Sequence, residues 1–208
     1  MNAGVLYYLE VFSAVLALLC VWLAAINKVW NWPIAMASSM GYIFVFFYSQ
    51  LYSDAVLNIV FLGFQTWGWW SWRHHKESTP SHLKKYQCLV WLFLIVILYL
   101  PWVIFITDVL PQLPIFLFGD TLAILPPPRF PYLDAALMML SILALIMQSK
   151  RWLQHWYIWI VVDLFYVPMY YLSDNTITAA LYAVYIVLAV YGLRKWQTLM
   201  KIESNPTD

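Results

Sequence analysis

The sequence is poor in charged residues and in cysteine. Asp, Glu, Lys and Arg make up 10% of its 208 residues, whereas soluble domains carry about 25%. Two cysteines cannot build a disulfide framework, and a formal net charge of +1 offers no basic surface for nucleic acid. No basic segment precedes the first apolar run, so we expect no cleavable signal peptide. With 64% hydrophobic residues, the composition predicts an integral membrane protein.

Long apolar runs predict the membrane-spanning segments, each of which needs about 20 residues. Charged and turn residues separate seven such runs, near residues 6–26, 30–50, 55–72, 86–107, 132–149, 153–173 and 175–193. The stretch LPQLPIFLFGDTLAILPPPRFP, after the fourth run, is apolar but interrupted by prolines and Asp120. We therefore predict that residues 110–131 form an outer loop rather than an eighth span.

The basic residues predict the orientation in the membrane. With seven spans, ten of the eleven Lys and Arg residues fall on one side, and Arg129 falls on the other. An excess of Lys and Arg marks the cytoplasmic side. We therefore predict an N-terminus outside the cell and a C-terminal tail, residues 197–208, in the cytoplasm.

The first three spans resemble the last three when the sequence is shifted by 124 residues. Residues 8–10 (YLE) align with residues 132–134 (YLD), and no gap is needed over about 70 residues. Rare residues match as well: Trp32 with Trp156, Gly68 with Gly192 and Trp72 with Trp196. Because a three-span unit ends on the opposite side from its start, two such units with one orientation need a linker span. The pattern predicts an all-α protein with a 3+1+3 arrangement: residues 1–75, a linker span at 86–109, and residues 132–196.

A carboxylate at the centre of the sixth span is the leading candidate for a functional residue. Asp163 lies about 11 residues from either end of this span. A charge at this depth is costly and is expected to face a cavity or a protein partner. Trp156 and Trp159 share its helix face, and two aromatic rings beside a carboxylate suit a flat cationic ring. The alternatives are a protonated Asp163 bonded to a neighbouring helix and an aromatic belt at the membrane surface.

Other polar residues in the spans are weaker candidates for substrate contacts. Amides within a span either bond across helices or bind a polar solute, and tyrosine hydroxyls offer further donors. Asp134 lies near the outer end of the fifth span, and a simple surface charge is an equal interpretation of it. Ser39 occupies the position that matches Asp163 in the repeat. The candidate set is completed by Gln65, Asn58, Asp134, Ser39, Tyr166 and Tyr182.

Several motifs resemble the PnuC family of bacterial nicotinamide riboside transporters. They are WNWPIA, LYSDAVLNIVFLGFQTWGWWSW, PYLDAALMMLS, W-x-x-W-x-x-x-D and the closing YG-x-x-x-W, and the resemblance covers residues 10–196. It implies a seven-helix 3+1+3 fold like that of SWEET sugar transporters, a homotrimer, and facilitated diffusion followed by phosphorylation of the vitamin in the cell. It also implies that the W-x-x-W motif and Gln65 belong to the substrate pocket. Many family members carry Asn where this chain has Asp163.

The resemblance implies uptake of nicotinamide riboside across the bacterial inner membrane. Thiamine, another flat cationic vitamin, is the main alternative substrate, and family relatives that carry riboflavin are a further one. An intramembrane enzyme is a remote alternative, because Asp134 and Asp163 lie in no protease motif and no His or Lys lies within a span core. The segment RHHKESTPSHLKK matches no common metal-ligand spacing. We expect no metal, no cofactor and no ion coupling. The expected partners are a small-molecule substrate, membrane lipid and, from the resemblance, further copies of the chain in a homotrimer, with no nucleic acid.

Overall fold

A computed structural model describes residues 3–48, 52–74, 79–109, 112, 130–172 and 176–204 of the chain. Within these ranges the protein is helical, with no named strand. Most of the predicted outer loop, residues 110–111 and 113–129, lies outside the described residues, as do residues 75–78 of the histidine-containing segment and the end of the tail.

Seven α-helices match the seven apolar runs, which confirms the all-helical prediction. They are α1 (Ala3–Ala25), α2 (Asn31–Tyr48), α3 (Tyr52–His74), α4 (Lys85–Ile104), α5 (Pro131–Ser149), α6 (His155–Leu172) and α7 (Thr176–Ser204). Pro131 stands at the start of α5, where its fixed φ favours a helix and its missing N–H costs nothing. Pro101 lies inside α4, which passes within one turn into a short π-helix, Phe105–Val109.

By length and composition alone, three helical segments are long and apolar enough to cross a membrane. These are Gly4–Ala25, Lys85–Val109 and Thr178–Ile202. The other helices are shorter or carry more Trp, Tyr and polar residues, which lower the hydropathy of a span. On α4 the apolar side chains Leu89, Phe93, Val96 and Leu100 are each more than 60% exposed, as expected of a surface that faces lipid.

The helices pack as two triplets and one peripheral helix. Helices α1, α2 and α3 form the N-terminal triplet, in which α2 contacts both neighbours, and α5, α6 and α7 form the C-terminal triplet in the same way. The triplets meet through α1 against α7 and through α3 against α5. Helix α4 packs mainly against α5. The central space of the bundle therefore lies between the two triplets.

Local geometry recurs between the triplets at the spacing of 124 residues. Helices α2 and α6 begin and end at matching positions. Asn27 and Arg151, which match, are the non-glycine residues with positive φ among those described, at 54° and 53°. Asn31 donates to the carbonyl of Lys28, and the ring Nδ1 of the matching His155 bonds to the carbonyl of Trp152.

In each triplet, a tryptophan of the second helix packs on a glycine of the third helix. The indole of Trp32 on α2 lies against Gly68 on α3, and the indole of Trp156 on α6 lies against Gly192 on α7. A methyl group at either glycine would overlap the indole, so each close approach requires a residue without a Cβ. These matched contacts join the second and third helices of each triplet tightly.

The segment before α4 is attached to the turn between α5 and α6. The backbone N–H of Ser81 donates to the carbonyl of Arg151, and the carbonyl of Ser81 accepts from Leu153. The backbone N–H of Leu83 donates to the side-chain carbonyl of Gln154. Arg151 is buried in this turn, and burial lowers its pKa to about 10, so the guanidinium stays charged at neutral pH.

Candidate substrate site

Asp163 lies inside the bundle, in the middle of α6. It is 4% exposed. It lies near Tyr185 of α7, and Tyr185 also lies near Tyr42 of α2 and Cys20 of α1. Tyr42 in turn lies near Glu10 of α1. Asp163 therefore belongs to a polar cluster to which both triplets contribute.

Three tyrosine rings of the C-terminal triplet pack on one another, and one of them, Tyr185, lies near this carboxylate. The rings of Tyr166 and Tyr182 lie 4.7 Å apart between centroids, and Tyr182 meets Tyr185 edge to face at 5.5 Å. On the N-terminal triplet, Tyr42 stacks on Phe46 at 5.5 Å. The rings offer aromatic surfaces for a flat solute, and the hydroxyl groups add donors and acceptors.

An amide and a hydroxyl lie at the matching place in the N-terminal triplet. The side-chain NH₂ of Gln65 on α3 donates to the hydroxyl of Ser39 on α2 at 3.0 Å, and both residues are buried. The carbonyl oxygen of Gln65 is buried without a hydrogen-bond partner among the described residues. An unpaired buried acceptor is costly, and a donor group on a bound solute would pair it. Asn58, two turns earlier on α3, is half-buried.

The tryptophans of the W-x-x-W motif lie in the apolar core near the start of α6. Trp156 is 2% exposed, with its indole on Gly192 and edge to face with Trp196 at 5.7 Å. Trp159 is partly buried and packs against the same core. Trp156 lies about 10 Å along the helix from Asp163. The matching Trp32 packs in the same way, so packing accounts for the position of Trp156, and its role as a substrate contact remains a prediction.

The described cavities lie away from these polar residues. One of about 450 Å³ lies between α4 and α5 and is lined by apolar side chains such as Trp91, Trp102 and Met139. Another of about 300 Å³ lies on the surface of α3. Neither is lined by Asp163, Gln65 or Ser39. Asp163, Gln65 and Ser39 are themselves buried.

Among the nine residues predicted from the sequence as substrate contacts, the structure pairs Ser39 with Gln65 in the N-terminal triplet and Tyr166 with Tyr182 in the C-terminal triplet. Asp163 is buried on the same helix as Tyr166, and Asn58 is half-buried two turns from Gln65. Their roles as substrate contacts remain predictions. The side chain of Asp134 lies outside the described residues, and Trp156 and Trp159 lie in the neighbouring core. Sequence reasoning missed Tyr42, Tyr185 and Cys20. Tyr42 had a signal, since it matches Tyr166 in the repeat.

The helices and the buried polar cluster define a multi-pass α-helical membrane protein. The chain belongs to the family described as nicotinamide mononucleotide transporters, whose profile matches residues 7–198. This match confirms the membership that the motifs predicted.

Named relatives of the chain are bacterial vitamin transporters. The nicotinamide riboside transporter PnuC of Escherichia coli is 24% identical over 92% of this chain and 85% of its own length. PnuC of Neisseria mucosa is 24% identical over 95% of this chain and 75% of its own length. The riboflavin/roseoflavin transporter RibM of Streptomyces davaonensis is 21% identical over 95% of this chain and 88% of its own length.

A solved structure shares the fold. The crystal structure of the vitamin B3 transporter PnuC superimposes with a TM-score of 0.70 at 23% identity, and covers 93% of this chain and 82% of that one. The similarity confirms the helical architecture.

Proposed function

We propose that the protein carries nicotinamide riboside across the membrane through the space between its two triplets. The observation that carries this proposal is the buried cluster around Asp163, which combines one carboxylate with tyrosine rings in a member of a vitamin-transporter family. Nicotinamide riboside has a cationic aromatic ring with a carboxamide and a ribose. The carboxylate attracts the ring, the tyrosines stack on it, and Gln65 and Ser39 bond to its polar groups.

The charge pattern favours the riboside over the mononucleotide named in the family description. No Lys or Arg occurs between residues 28 and 73, or between residues 151 and 194. A phosphate group beside the buried Asp163 would therefore meet a carboxylate and no cation from these segments. Such a group is costly to bury without a positive partner. A substrate without phosphate fits the cluster better.

The proposed architecture is the 3+1+3 arrangement, with α4 as the linker and an outer N-terminus. The matching helix bounds, positive-φ residues and Trp–Gly contacts at a spacing of 124 residues support parallel repeats, and substrate sites of such repeats lie near the midplane. The protein acts in the bacterial inner membrane as a uniporter, because acids are scarce in its spans. It has no enzymatic activity, because Asp134 and Asp163 lie in no protease motif and no His or Lys lies within a span core. Phosphorylation in the cell then traps the product. A homotrimer is the proposed assembly.

Thiamine and riboflavin are the competing substrates. Thiamine shares the flat cationic ring that Asp163 favours. Riboflavin is carried by a named relative at 21% identity. Riboflavin, however, lacks the positive charge that a buried carboxylate attracts.

Counterflow of labelled nicotinamide riboside into proteoliposomes tests the proposal. We expect labelled nicotinamide riboside to exchange. Excess unlabelled nicotinamide riboside should block this exchange, whereas thiamine, riboflavin and nicotinamide mononucleotide should not. Exchange of thiamine or riboflavin, with none of nicotinamide riboside, would reassign the substrate. Accumulation above the external concentration under an imposed proton or sodium gradient would contradict uniport.

A further inference from the structure

Two tryptophans tie the triplets together at one end of the bundle in a reciprocal manner. The indole N–H of Trp196 on α7 donates to the carbonyl of Ala24 on α1 at 3.0 Å. The indole N–H of Trp72 on α3 donates to the carbonyl of Gln148 on α5, also at 3.0 Å. Donors and acceptors are each 124 residues apart. Each triplet therefore holds the end of the first helix of the other.

Further polar contacts join the triplets at the same end. The hydroxyl of Ser71 donates to the backbone carbonyl of Ser149 at 3.0 Å, and the side-chain NH₂ of Gln148 donates to the side-chain oxygen Oδ1 of Asn31 at 3.2 Å. The guanidinium of Arg151 lies 4.2 Å from the centre of the Trp72 ring. This end also carries most of the Lys and Arg residues, so it is the cytoplasmic end in the proposed orientation.

The contacts within a triplet differ in kind from those between triplets. Within each triplet, an indole packs on a glycine with no room for a methyl group. Between the triplets at this end, four hydrogen bonds from side chains are combined with apolar packing. Trp72 and Trp196 are fully buried in one core, with their ring centroids 6.2 Å apart. Packing on a glycine holds the helices of one triplet as a unit. Relative motion of the triplets would therefore separate Trp72 from Trp196, break the four hydrogen bonds, and preserve the contacts within each triplet.

We propose that Trp72 and Trp196 form the latch of a cytoplasmic gate, which opens in each transport cycle as the two triplets move apart. The proposal rests on the function proposed above, since a solute bound at Asp163 must leave between the triplets. In transporters built from repeats, access alternates as one unit rocks against the other. The buried state of Asp163 and Gln65 fits a bundle whose latch is closed.

The latch is not fully symmetric, and the asymmetry supplies a test variant. Gln148 bonds to Asn31 across the triplets, but Ala24 occupies the matching position and has no polar side-chain group that could bond to His155. The Nε2 atom of His155 is buried with no hydrogen-bond partner among the described residues. Gln148→Ala therefore removes the side-chain hydrogen bond to Asn31 between the triplets. It introduces alanine, which the other triplet already has at the matching position 24.

A disulfide across the latch tests whether the end must open. Ser71→Cys and Ser149→Cys are combined, oxidised in proteoliposomes, and assayed for nicotinamide riboside counterflow, with each single variant as a control. We expect oxidation to lower counterflow of the double variant at least tenfold and reductant to restore it. Unchanged counterflow by fully cross-linked protein would show that the contacts are a fixed brace and would overturn the proposal. Absence of counterflow in the wild type would instead contradict the proposed substrate.

Thiol labelling tests the latch without any substrate and covers the case in which the disulfide does not form. The buried Ser149→Cys is labelled from the cytoplasmic side with a membrane-impermeant maleimide. We expect Trp72→Phe and Gln148→Ala each to speed labelling severalfold, because each variant removes one hydrogen bond between the triplets. Trp70→Phe, at an exposed position of the same helix, is the matched control. Equal labelling rates in all four proteins would overturn the latch whatever the substrate is.

Discussion

Replacing Gly192 by alanine gives the sharpest test of the packing that makes each triplet a unit. A Cβ at this position would lie 2.5 Å from the Trp156 indole, and one at Gly68 would overlap the Trp32 indole in the same way. Gly63, on the exposed side of α3, has nothing within 4 Å of an added Cβ. Overpacking a well-filled core costs about 1–3 kcal/mol. Because all three changes gain the same helix propensity, the comparison isolates the cost of the overlap.

Thermal unfolding of the purified protein in detergent measures this cost. For a chain of this size, 1 kcal/mol corresponds to about 2–4 °C in Tm. We therefore expect Gly192→Ala and Gly68→Ala to unfold about 2–12 °C below Gly63→Ala, which should match or exceed the wild type. Equal Tm values for the three variants would refute the claim that these glycines are required by the tryptophan rings.

Other predictions concern the polar cluster and the segment before α4. Gln65→Leu removes the unpaired carbonyl oxygen that we propose bonds to the substrate, so we expect the KM for nicotinamide riboside to rise at least tenfold in counterflow; an unchanged KM would remove Gln65 from the site. Ser81→Pro removes the N–H that bonds to the carbonyl of Arg151; we expect a loss of about 1 kcal/mol, measured as a lower Tm than that of Ser81→Ala, and equal values would contradict it. Tyr185→Phe retains the ring beside Asp163 and removes the hydroxyl; we expect lower substrate affinity with an unchanged Tm, and unchanged affinity would place the hydroxyl outside the site.

The positions of the helices followed from the sequence because hydropathy is a local property. Each apolar run ends at charges or turn residues, and each helix begins and ends within a few residues of its predicted run, apart from α7, which continues to Ser204. The repeat was also visible in the sequence, because the Trp32 indole requires Gly68 and the Trp156 indole requires Gly192. Glycine is scarce in the chain, so the two matching pairs stand out at their spacing of 124 residues.

The roles of individual aromatic residues did not follow from the sequence. Trp156 and Trp159 share a helix face with Asp163, but that face extends from an apolar core at one end of α6 to a polar cluster at its middle. The surroundings of each residue on this face depend on the neighbouring helices, whose packing is not visible in the sequence of α6. Tyr185 was missed for a similar reason, since a span with many tyrosines gives no local signal for the one beside a carboxylate on another helix.

The central claim is that Asp163 lines the path of nicotinamide riboside between the triplets. The most direct measurement is the initial rate of nicotinamide riboside counterflow by Asp163→Leu, with Asp108→Leu as the control, because Asp108 is exposed on the π-helix that follows α4. We predict loss of at least 95% of the rate in Asp163→Leu (roughly a twentyfold change, about 1.8 kcal/mol) and an unchanged rate in Asp108→Leu. We also predict a raised KM in Asp163→Asn, which keeps the shape but not the charge. A wild-type rate and KM in Asp163→Leu, with folding intact, would contradict the account.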